Sequence, residues 1–106
     1  MQINEYKVKF TPVAEDDLDQ IYEYIVNKLF AETAASRLME KIETGIMRLG
    51  QFPFSCSHVL DEALKIRGYR KFIVDNYIVF NLVNETEKQV VIMRILYGAR
   101  DYENLM

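Results

Sequence analysis

Residues 68–102 read GYRKFIVDNYIVFNLVNETEKQVVIMRILYGARDY, and this stretch decides the fold. It contains three segments rich in Val, Ile, Phe and Tyr, which favour a pleated, half-buried surface. These segments are 69–74, 77–83 and 89–96. Asp75 and Asn76 tolerate positive φ and predict a tight hairpin between the first two, and residues 84–88 connect the second to the third. The sequence therefore predicts three consecutive antiparallel strands.

Two helices are predicted ahead of these strands. Residues 6–10 alternate apolar and basic side chains, the period of a half-buried strand, and Thr11 and Pro12 then favour a helix start. Apolar residues follow at helical spacing, first at Ala14, Leu18, Ile21, Tyr22, Ile25 and Leu29, and then at Ala35, Leu38, Met39, Ile42, Ile46 and Leu49. The second helix is expected to end before Gly50 and Pro53, and the short link between the helices predicts an antiparallel hairpin.

The predicted order is strand, helix, helix, strand, strand, strand (β-α-α-β-β-β), in a single domain of residues 1–106. This is an α+β fold in which the helical hairpin packs on one face of a mostly antiparallel sheet. The other face is expected to be available for a partner. Residues 51–66 are not assigned, although Pro53 and Ser55 favour a turn before either a short strand or a helical turn.

The composition predicts a soluble cytoplasmic protein. The chain has 106 residues, of which 50% are hydrophobic and 27% are charged, and it contains one Cys. No apolar stretch approaches the ~20 residues that a membrane-spanning helix needs. The opening MQINEYKVKF lacks the features of a signal peptide, and a single thiol suits a reducing compartment. We therefore expect a cytoplasmic location and no contact with a membrane.

The charge distribution argues against general affinity for nucleic acid. The net charge is −3, whereas phosphate binding depends on clustered Lys and Arg side chains. Four basic residues nevertheless fall within seven positions, at Lys65, Arg67, Arg70 and Lys71. A local basic patch is therefore expected on an otherwise acidic protein.

The usual motifs of metal and nucleophilic sites are missing from the sequence. His58 is the only His, with Cys56 two residues earlier, and a zinc site needs three or four converging ligands. There is no GxSxG motif, no Walker loop and no GxGxxG. Asp16 and Asp17 are interpreted as acids at the positive end of the first helix. We predict no metal and no cofactor.

The candidates that remain for function are Arg70, Arg94, Tyr97 and Arg100. In an extended strand each of two arginines has apolar neighbours on its own face, Phe72 and Val74 beside Arg70, and Val90, Ile92 and Leu96 beside Arg94. Asp101 is a candidate partner for an arginine. Two interpretations stay open, a structural ion pair and a site that binds phosphate or an acidic peptide. The tyrosines Tyr22, Tyr24, Tyr69 and Tyr77 are interpreted as packing residues.

Four pieces of the chain together resemble the RelE/ParE superfamily, the toxins of bacterial type II toxin–antitoxin systems. They are YKVKFTPVAEDDLDQIYEYI (6–25), IMRLGQFP (46–53), GYRKFIVDNYIVFNLV (68–83) and VVIMRILYGARDYENLM (90–106). The resemblance covers nearly the whole chain in order. It implies the α+β fold predicted above and a cognate antitoxin as partner.

The RelE-like members of this superfamily are ribosome-dependent mRNA endonucleases that use basic residues and a C-terminal Tyr or His. The resemblance to them implies Arg70, Arg94 and Tyr97 as catalytic residues. Two departures weaken this assignment. Residues 77–80 read YIVF where the nucleases often begin a strand with Arg, and Leu96 stands where some have His. The set of acid–base groups is then incomplete.

The ParE-like branch matches better, through its long helical hairpin, the FP after the second helix, the NYIVF strand and the RILxGxRD-like end. Its members poison DNA gyrase by binding rather than by chemistry of their own. The sequence therefore predicts a ParE-like toxin that a cognate antitoxin neutralises. The residues predicted to contact the target or the antitoxin are Arg67, Arg70, Lys71, Arg94 and Arg100. The alternatives are a RelE-like endonuclease acting on ribosome and mRNA, and an inactive binding module of the same fold.

Overall fold

A computed structural model describes residues 5–98 of the chain. In chain order its elements are β1 (Lys7–Phe10), α1 (Pro12–Lys28), α2 (Glu32–Gln51), β2 (Ser57–His58), α3 (Glu62–Ile66), β3 (Arg70–Val74), β4 (Tyr77–Asn84) and β5 (Gln89–Tyr97). The predicted α+β fold is confirmed, since the hairpin of α1 and α2 packs on a mostly antiparallel sheet. No helix in the described range is long and apolar enough to cross a membrane.

The sheet has the strand order β1-β5-β4-β3-β2. β1 runs parallel to β5, and the other neighbouring strands pair antiparallel. The parallel pair is possible because the helical hairpin and three strands lie between β1 and β5 in sequence, which is ample length for a crossover. The two longest strands, β4 and β5, therefore lie at the centre, where both of their edges can be paired.

Thr11 fixes the start of α1 against the sheet. Its Oγ1 accepts a hydrogen bond from the Ala14 amide at 3.0 Å, which confirms the predicted helix cap. The same hydroxyl donates to the Met93 carbonyl at 3.0 Å, and the Thr11 amide donates to the Ile92 carbonyl at 3.1 Å. The first turn of α1 is therefore tied to the middle of β5.

α2 runs past its predicted end. The helix continues through Gly50 to Gln51, so the expectation that it ends before Gly50 is wrong, and Pro53 follows the actual end. Gly50 instead allows the backbone of Tyr6 to approach the helix closely. Its carbonyl accepts a hydrogen bond from the Tyr6 amide at 2.8 Å, and a Cβ at this position would lie 3.1 Å from the Tyr6 carbonyl oxygen.

The unassigned segment 51–66 contains both a short strand, β2, and a short helix, α3. Asp61 caps α3, because its Oδ2 accepts a hydrogen bond from the Leu64 amide at 3.1 Å. Val59 and Leu64 are buried against the sheet face opposite the hairpin, together with Phe80. This segment therefore covers part of the face that was expected to be open.

A β-bulge changes the face on which Arg94 lies. Phe80 pairs with Arg94 but Asn81 pairs with Ile92, so Met93 is an extra residue on β5. Val90 and Ile92 belong to the cluster under the helices, whereas Phe80 and Leu96 belong to the cluster on the opposite face. The prediction that Arg94 shares a face with Val90 and Ile92 is therefore wrong, and only Leu96 remains on its side.

Candidate functional site

Arg94 is held by Asp17 of α1. Its Nε donates to Asp17 Oδ2 at 2.8 Å and its Nη2 donates to Asp17 Oδ1 at 2.9 Å, a two-pronged ion pair. The Ile95 amide also donates to Asp17 Oδ2, at 3.0 Å. The Asp17 carboxylate therefore accepts three hydrogen bonds from two consecutive residues of β5.

The position of Asp17 follows from the geometry of the sheet edge. β1 pairs with β5 only as far as Phe10 opposite Ile92, and the chain then turns into α1 at Thr11. Beyond that point the edge of β5 has no neighbouring strand among the described residues, and Asp17 supplies the acceptor that the Ile95 amide needs. The interpretation of Asp17 as a helix-start acid is corrected by this contact.

The charge of Arg94 is stabilised where it lies. The hydrogen bond to the Asp17 carboxylate raises the pKa of the Arg94 guanidinium above its usual value. The Arg94 side chain is 19% exposed and that of Asp17 is 8% exposed, so water covers little of the pair. Of the two interpretations that the sequence left open, the ion pair describes Arg94, with Asp17 as partner. The candidate partner Asp101 lies outside the described residues.

The predicted basic patch lies on and beside β3. The Arg70 Nη1 donates to the Cys56 carbonyl at 2.5 Å, and its guanidinium carbon lies 5.1 Å from the centre of the Phe54 ring. Arg67 lies over the Tyr69 ring at the same distance, 5.1 Å. Arg70 therefore stabilises the segment that leads into β2 through its contacts with Phe54 and Cys56. Arg67, three residues earlier in the chain, is exposed.

Lys71 and Arg100 complete the set that the sequence assigned to a target or an antitoxin. Lys71 is half-buried on β3 and pairs in register with Ser57 of β2, at the edge of the sheet. Arg100 lies outside the described residues. Arg67, Arg70 and Lys71 therefore share one edge of the sheet, and Arg94 lies two strands away on β5.

Tyr97 lies at the end of β5, next to the first residue of β4. Its ring meets that of Tyr77 edge to face, with the ring centres 5.6 Å apart. The Tyr97 side chain is 45% exposed, whereas its neighbour Leu96 is 2% exposed. Burial and the neighbouring phenols of Tyr97 and Tyr24 raise the pKa of Tyr77. Three phenol groups therefore lie close together at this end of the sheet.

A groove of about 770 Å³ opens beside Tyr97, between the helical hairpin and the ends of the strands. Its lining is mostly apolar, with polar groups at Asp17, Gln20, Asp75 and Asn76 and with the three tyrosines. Two consecutive apolar side chains are exposed at this groove, Leu29 in its lining and the adjacent Phe30. An apolar concavity with few polar groups is the usual form of a binding site.

The three residues proposed for catalysis do not converge. Arg70 pairs with Asn81, and Tyr97 pairs with Tyr77. Asn81 lies four residues after Tyr77 along β4, which is roughly 13 Å at ~3.3 Å per strand residue. Tyr97 therefore lies at one end of the sheet and Arg70 near the middle of its strands, with Arg94 between these two levels. Catalytic roles for these residues stay a prediction.

Within residues 5–98 no cluster of His, Cys, Asp or Glu could hold a metal ion. Cys56 is a half-buried free thiol, and burial raises its pKa. A thiol in that state is mostly protonated at neutral pH, so it is a poor nucleophile.

Sequence reasoning missed Asp17 and the groove tyrosines Tyr24 and Tyr77. A signal for Asp17 was present, because it lies three residues after Ala14 and four before Ile21, inside the apolar stripe of α1. A carboxylate at such a position needs a partner from another element. The tyrosines gave no comparable signal, since their meeting depends on the approach of α1 to the β4 and β5 ends.

Several solved structures share this fold, among them three of toxins or toxin–antitoxin complexes. The chain is similar to one in the chromosomal ParDE toxin–antitoxin system from P. aeruginosa, with a TM-score of 0.71 and 23% identity, over 89% of this chain and 97% of that one. For the toxin–antitoxin complex RelBE2 from Mycobacterium tuberculosis the TM-score is 0.61 with 19% identity, over 93% and 98%. For the YoeB/ParE toxin from Agrobacterium tumefaciens it is 0.60 with 17% identity, over 86% and 96%.

The sequence itself gives the family. Residues 8–102 match the family described as the ParE toxin of the type II toxin–antitoxin system parDE. The chain therefore belongs to the ParE toxin family of type II toxin–antitoxin systems, which confirms the resemblance seen in the sequence. None of the curated proteins matches the chain in a sequence search.

Proposed function

We propose that this toxin arrests growth by binding and poisoning DNA gyrase, and that a cognate antitoxin neutralises it. The observation that carries the proposal is the placement of the basic residues. Arg94 is engaged by Asp17, Arg70 is engaged by the Cys56 carbonyl, and Arg70 lies far from Tyr97. An RNA-cleaving site needs such groups within reach of one phosphate. Their separation favours action through protein binding, as does the net charge of −3.

The antitoxin is expected to use the groove between the helical hairpin and the strand ends. The groove is mostly apolar and large enough to bury several side chains, and the exposed Phe30 follows its lining residue Leu29 directly in the chain. Beyond the two residues paired with β2, the edge of β3 has no neighbouring strand within residues 5–98 and offers backbone groups for an added strand. Two of the similar solved structures are themselves from toxin–antitoxin systems, which supports a partner of this kind.

Two assays run side by side test the proposal. The purified protein should inhibit DNA supercoiling by gyrase, and ribosome-bound mRNA should stay intact under the same conditions. Unimpaired supercoiling together with cut mRNA would reject gyrase poisoning. In cells, induction should arrest growth and cause DNA damage, and co-expression of the antitoxin encoded beside the toxin gene should restore growth.

A ribosome-dependent mRNA endonuclease is the second candidate. The exposure of Tyr97, at 45%, favours it, because a phenol that acts on RNA has to reach the substrate. In that case Tyr97→Phe should abolish mRNA cleavage and leave the fold intact, while Tyr24→Phe should keep full activity. If neither cleavage nor supercoiling inhibition occurs and induction is harmless, the chain is an inactive binding module.

A further inference from the structure

Three tyrosines form a cluster at the mouth of the groove. Tyr77 and Tyr97 stand edge to face at 5.6 Å, and Tyr24 of α1 lies close enough to affect the electrostatics of the Tyr77 phenol. All three line the groove. Tyr24 and Tyr97 keep 54% and 45% of their surface exposed, which leaves ring area accessible to a ligand. We call Tyr24, Tyr77 and Tyr97 the tyrosine cluster.

The ionised side chains that line the groove are all acidic in the described part of the chain. They are Asp17 and Asp75. The Asp17 carboxylate already accepts hydrogen bonds from the Arg94 side chain and the Ile95 amide. Asp75 contacts Lys41 at 3.3 Å, but the two side chains are 51% and 59% exposed. An ion pair that exposed is weak and exchanges readily. Asp75 can therefore accept a different cation.

We propose that the tyrosine cluster and Asp75 form a receptor for one Arg or Lys side chain of an apolar antitoxin segment that occupies the groove. This inference rests on the antitoxin partnership proposed above and names the residue type that the groove selects. The faces of aromatic rings carry negative potential and attract cations, Arg more often than Lys. The apolar floor of the groove takes the neighbouring Leu-like or Ile-like side chains of the same segment.

Charge complementarity decides between the conceivable occupants. An acidic segment would meet Asp75 and the electron-rich ring faces, and like charges in a partly desolvated groove repel. A purely apolar segment would fill the floor and leave Asp75 with its exposed partner Lys41. Only a segment with a basic side chain next to apolar ones uses both parts of the site.

Three capped peptides test this proposal directly: acetyl-Leu-Arg-Leu-amide, the same peptide with norleucine in place of Arg, and the same peptide with Glu in place of Arg. Titration into the isotope-labelled full chain is followed by the backbone amide shifts of Tyr24, Asp75 and Tyr97. The Arg peptide should bind with shifts at these positions, and the norleucine peptide should bind at least about threefold more weakly, from the size of a cation–π contact. Equal binding of the Arg and Glu peptides, or shifts that map elsewhere, would overturn the proposal.

Substitutions at the groove separate the ring contribution from general packing. Tyr24→Leu and Tyr97→Leu should each weaken binding of the Arg peptide about two- to fivefold and leave the norleucine peptide unchanged. Phe52→Leu, at an exposed ring outside the groove lining, is the matched control and should change neither. Asp75→Asn should weaken only the Arg peptide, by about twofold. If both Leu variants bind the Arg peptide as the parent chain does, the tyrosine cluster is not a receptor.

The peptide titrations do not depend on toxicity, so the two proposals can fail separately. Growth arrest and antitoxin rescue without selective binding of the Arg peptide would reject the receptor and keep the toxin function. Selective binding of the Arg peptide by a protein that does not arrest growth would keep the receptor and reject the toxin function. Shifts at the groove that depend on protein concentration without peptide would show that a second copy of the chain occupies it, which would also overturn the proposal.

Discussion

Asp17 and Asn81 are the two buried polar residues of the described core, and they differ in how they are satisfied. Asp17 is 7% exposed and accepts hydrogen bonds from Arg94 and from the Ile95 amide. Asn81 is fully buried, yet neither polar atom of its side chain has a hydrogen-bond partner of good geometry among the described residues. Its weak interaction with the Cys56 thiol does not satisfy it.

The difference follows from where the two residues lie, Asp17 at the edge of the sheet and Asn81 at its centre. Asp17 lies where β1 stops and the edge of β5 needs an acceptor, so its carboxylate replaces a missing strand. Asn81 lies at the centre of β4 under the helices, with Arg70 and Ile92 as its register neighbours. The Arg70 side chain donates to the Cys56 carbonyl and not to Asn81. A buried polar group stabilises only when its partner is free to meet it.

The largest expected effect is that of Asp17→Asn. The variant keeps the shape of the side chain but removes the carboxylate charge that faces Arg94. We expect a loss of about 2–3 kcal/mol in the free energy of unfolding, less than for a fully buried pair because Arg94 stays partly in water. Urea unfolding at neutral pH measures it. Asp19→Asn, on the exposed face of α1, is the control, and equal midpoints for the two variants would refute the role of Asp17.

The opposite sign is expected for Asn81→Val. The substitution removes two unsatisfied polar atoms and places a strand-favouring residue in the core, so stability should rise by about 1 kcal/mol. The midpoint of urea unfolding should increase with an unchanged slope. Asn27→Val, at an exposed position of α1, is the control, since Asn and Val have similar helix propensities. A destabilised Asn81→Val would show that the amide has a partner after all.

A smaller effect is expected at the exposed ion pair of Lys41 and Asp75. Asp75 has a φ of 53°, which Asn tolerates equally well, so Asp75→Asn removes only the charge. We expect a change below about 0.5 kcal/mol that disappears when salt is raised, because exposed pairs are screened. Thermal unfolding at low and high ionic strength measures it. If Asp75→Asn lowered the free energy of unfolding as much as Asp17→Asn does, burial would not be the reason that the Asp17 ion pair is the stronger of the two.

The smallest effect is the pH dependence of Cys56, which lies beside Asn81. Burial raises the pKa of the native thiol, so the native state keeps its proton where the unfolded chain has lost it. Stability should therefore fall slightly as the pH rises above the ordinary Cys pKa of about 8.5. Alkylation by iodoacetamide should be slower in the native protein than in urea at pH 8–9. Equal rates would place the thiol in water.

Much of the fold could be predicted because its signals are local. The alternation of β1, the cap at Thr11 and the apolar stripes of both helices each depend on residues a few positions apart. The segment 51–66 could not be assigned, because β2 has two residues and α3 has five. Elements that short are formed by tertiary contacts, here the burial of Val59 and Leu64, rather than by their own periodicity.

The site was less predictable than the fold. The prediction for Arg94 failed on its face, because one extra residue at Met93 reverses the alternation of β5. Nothing in the composition of residues 89–97 reveals that bulge. The partner Asp17 is 77 residues away in sequence, and only the packing of α1 on β5 brings the two together.

The sequence by itself determined the two helices, the three consecutive strands and the family, because periodicity, caps and turns act over short distances and the family motifs follow in order along the chain. The tertiary structure decided which charges are engaged and where a partner can bind. Arg94 is held by Asp17, Arg70 by a backbone carbonyl, and the tyrosine cluster forms where α1 meets the ends of β4 and β5. These contacts join distant segments, and their geometry exists only once the helices have packed on the sheet.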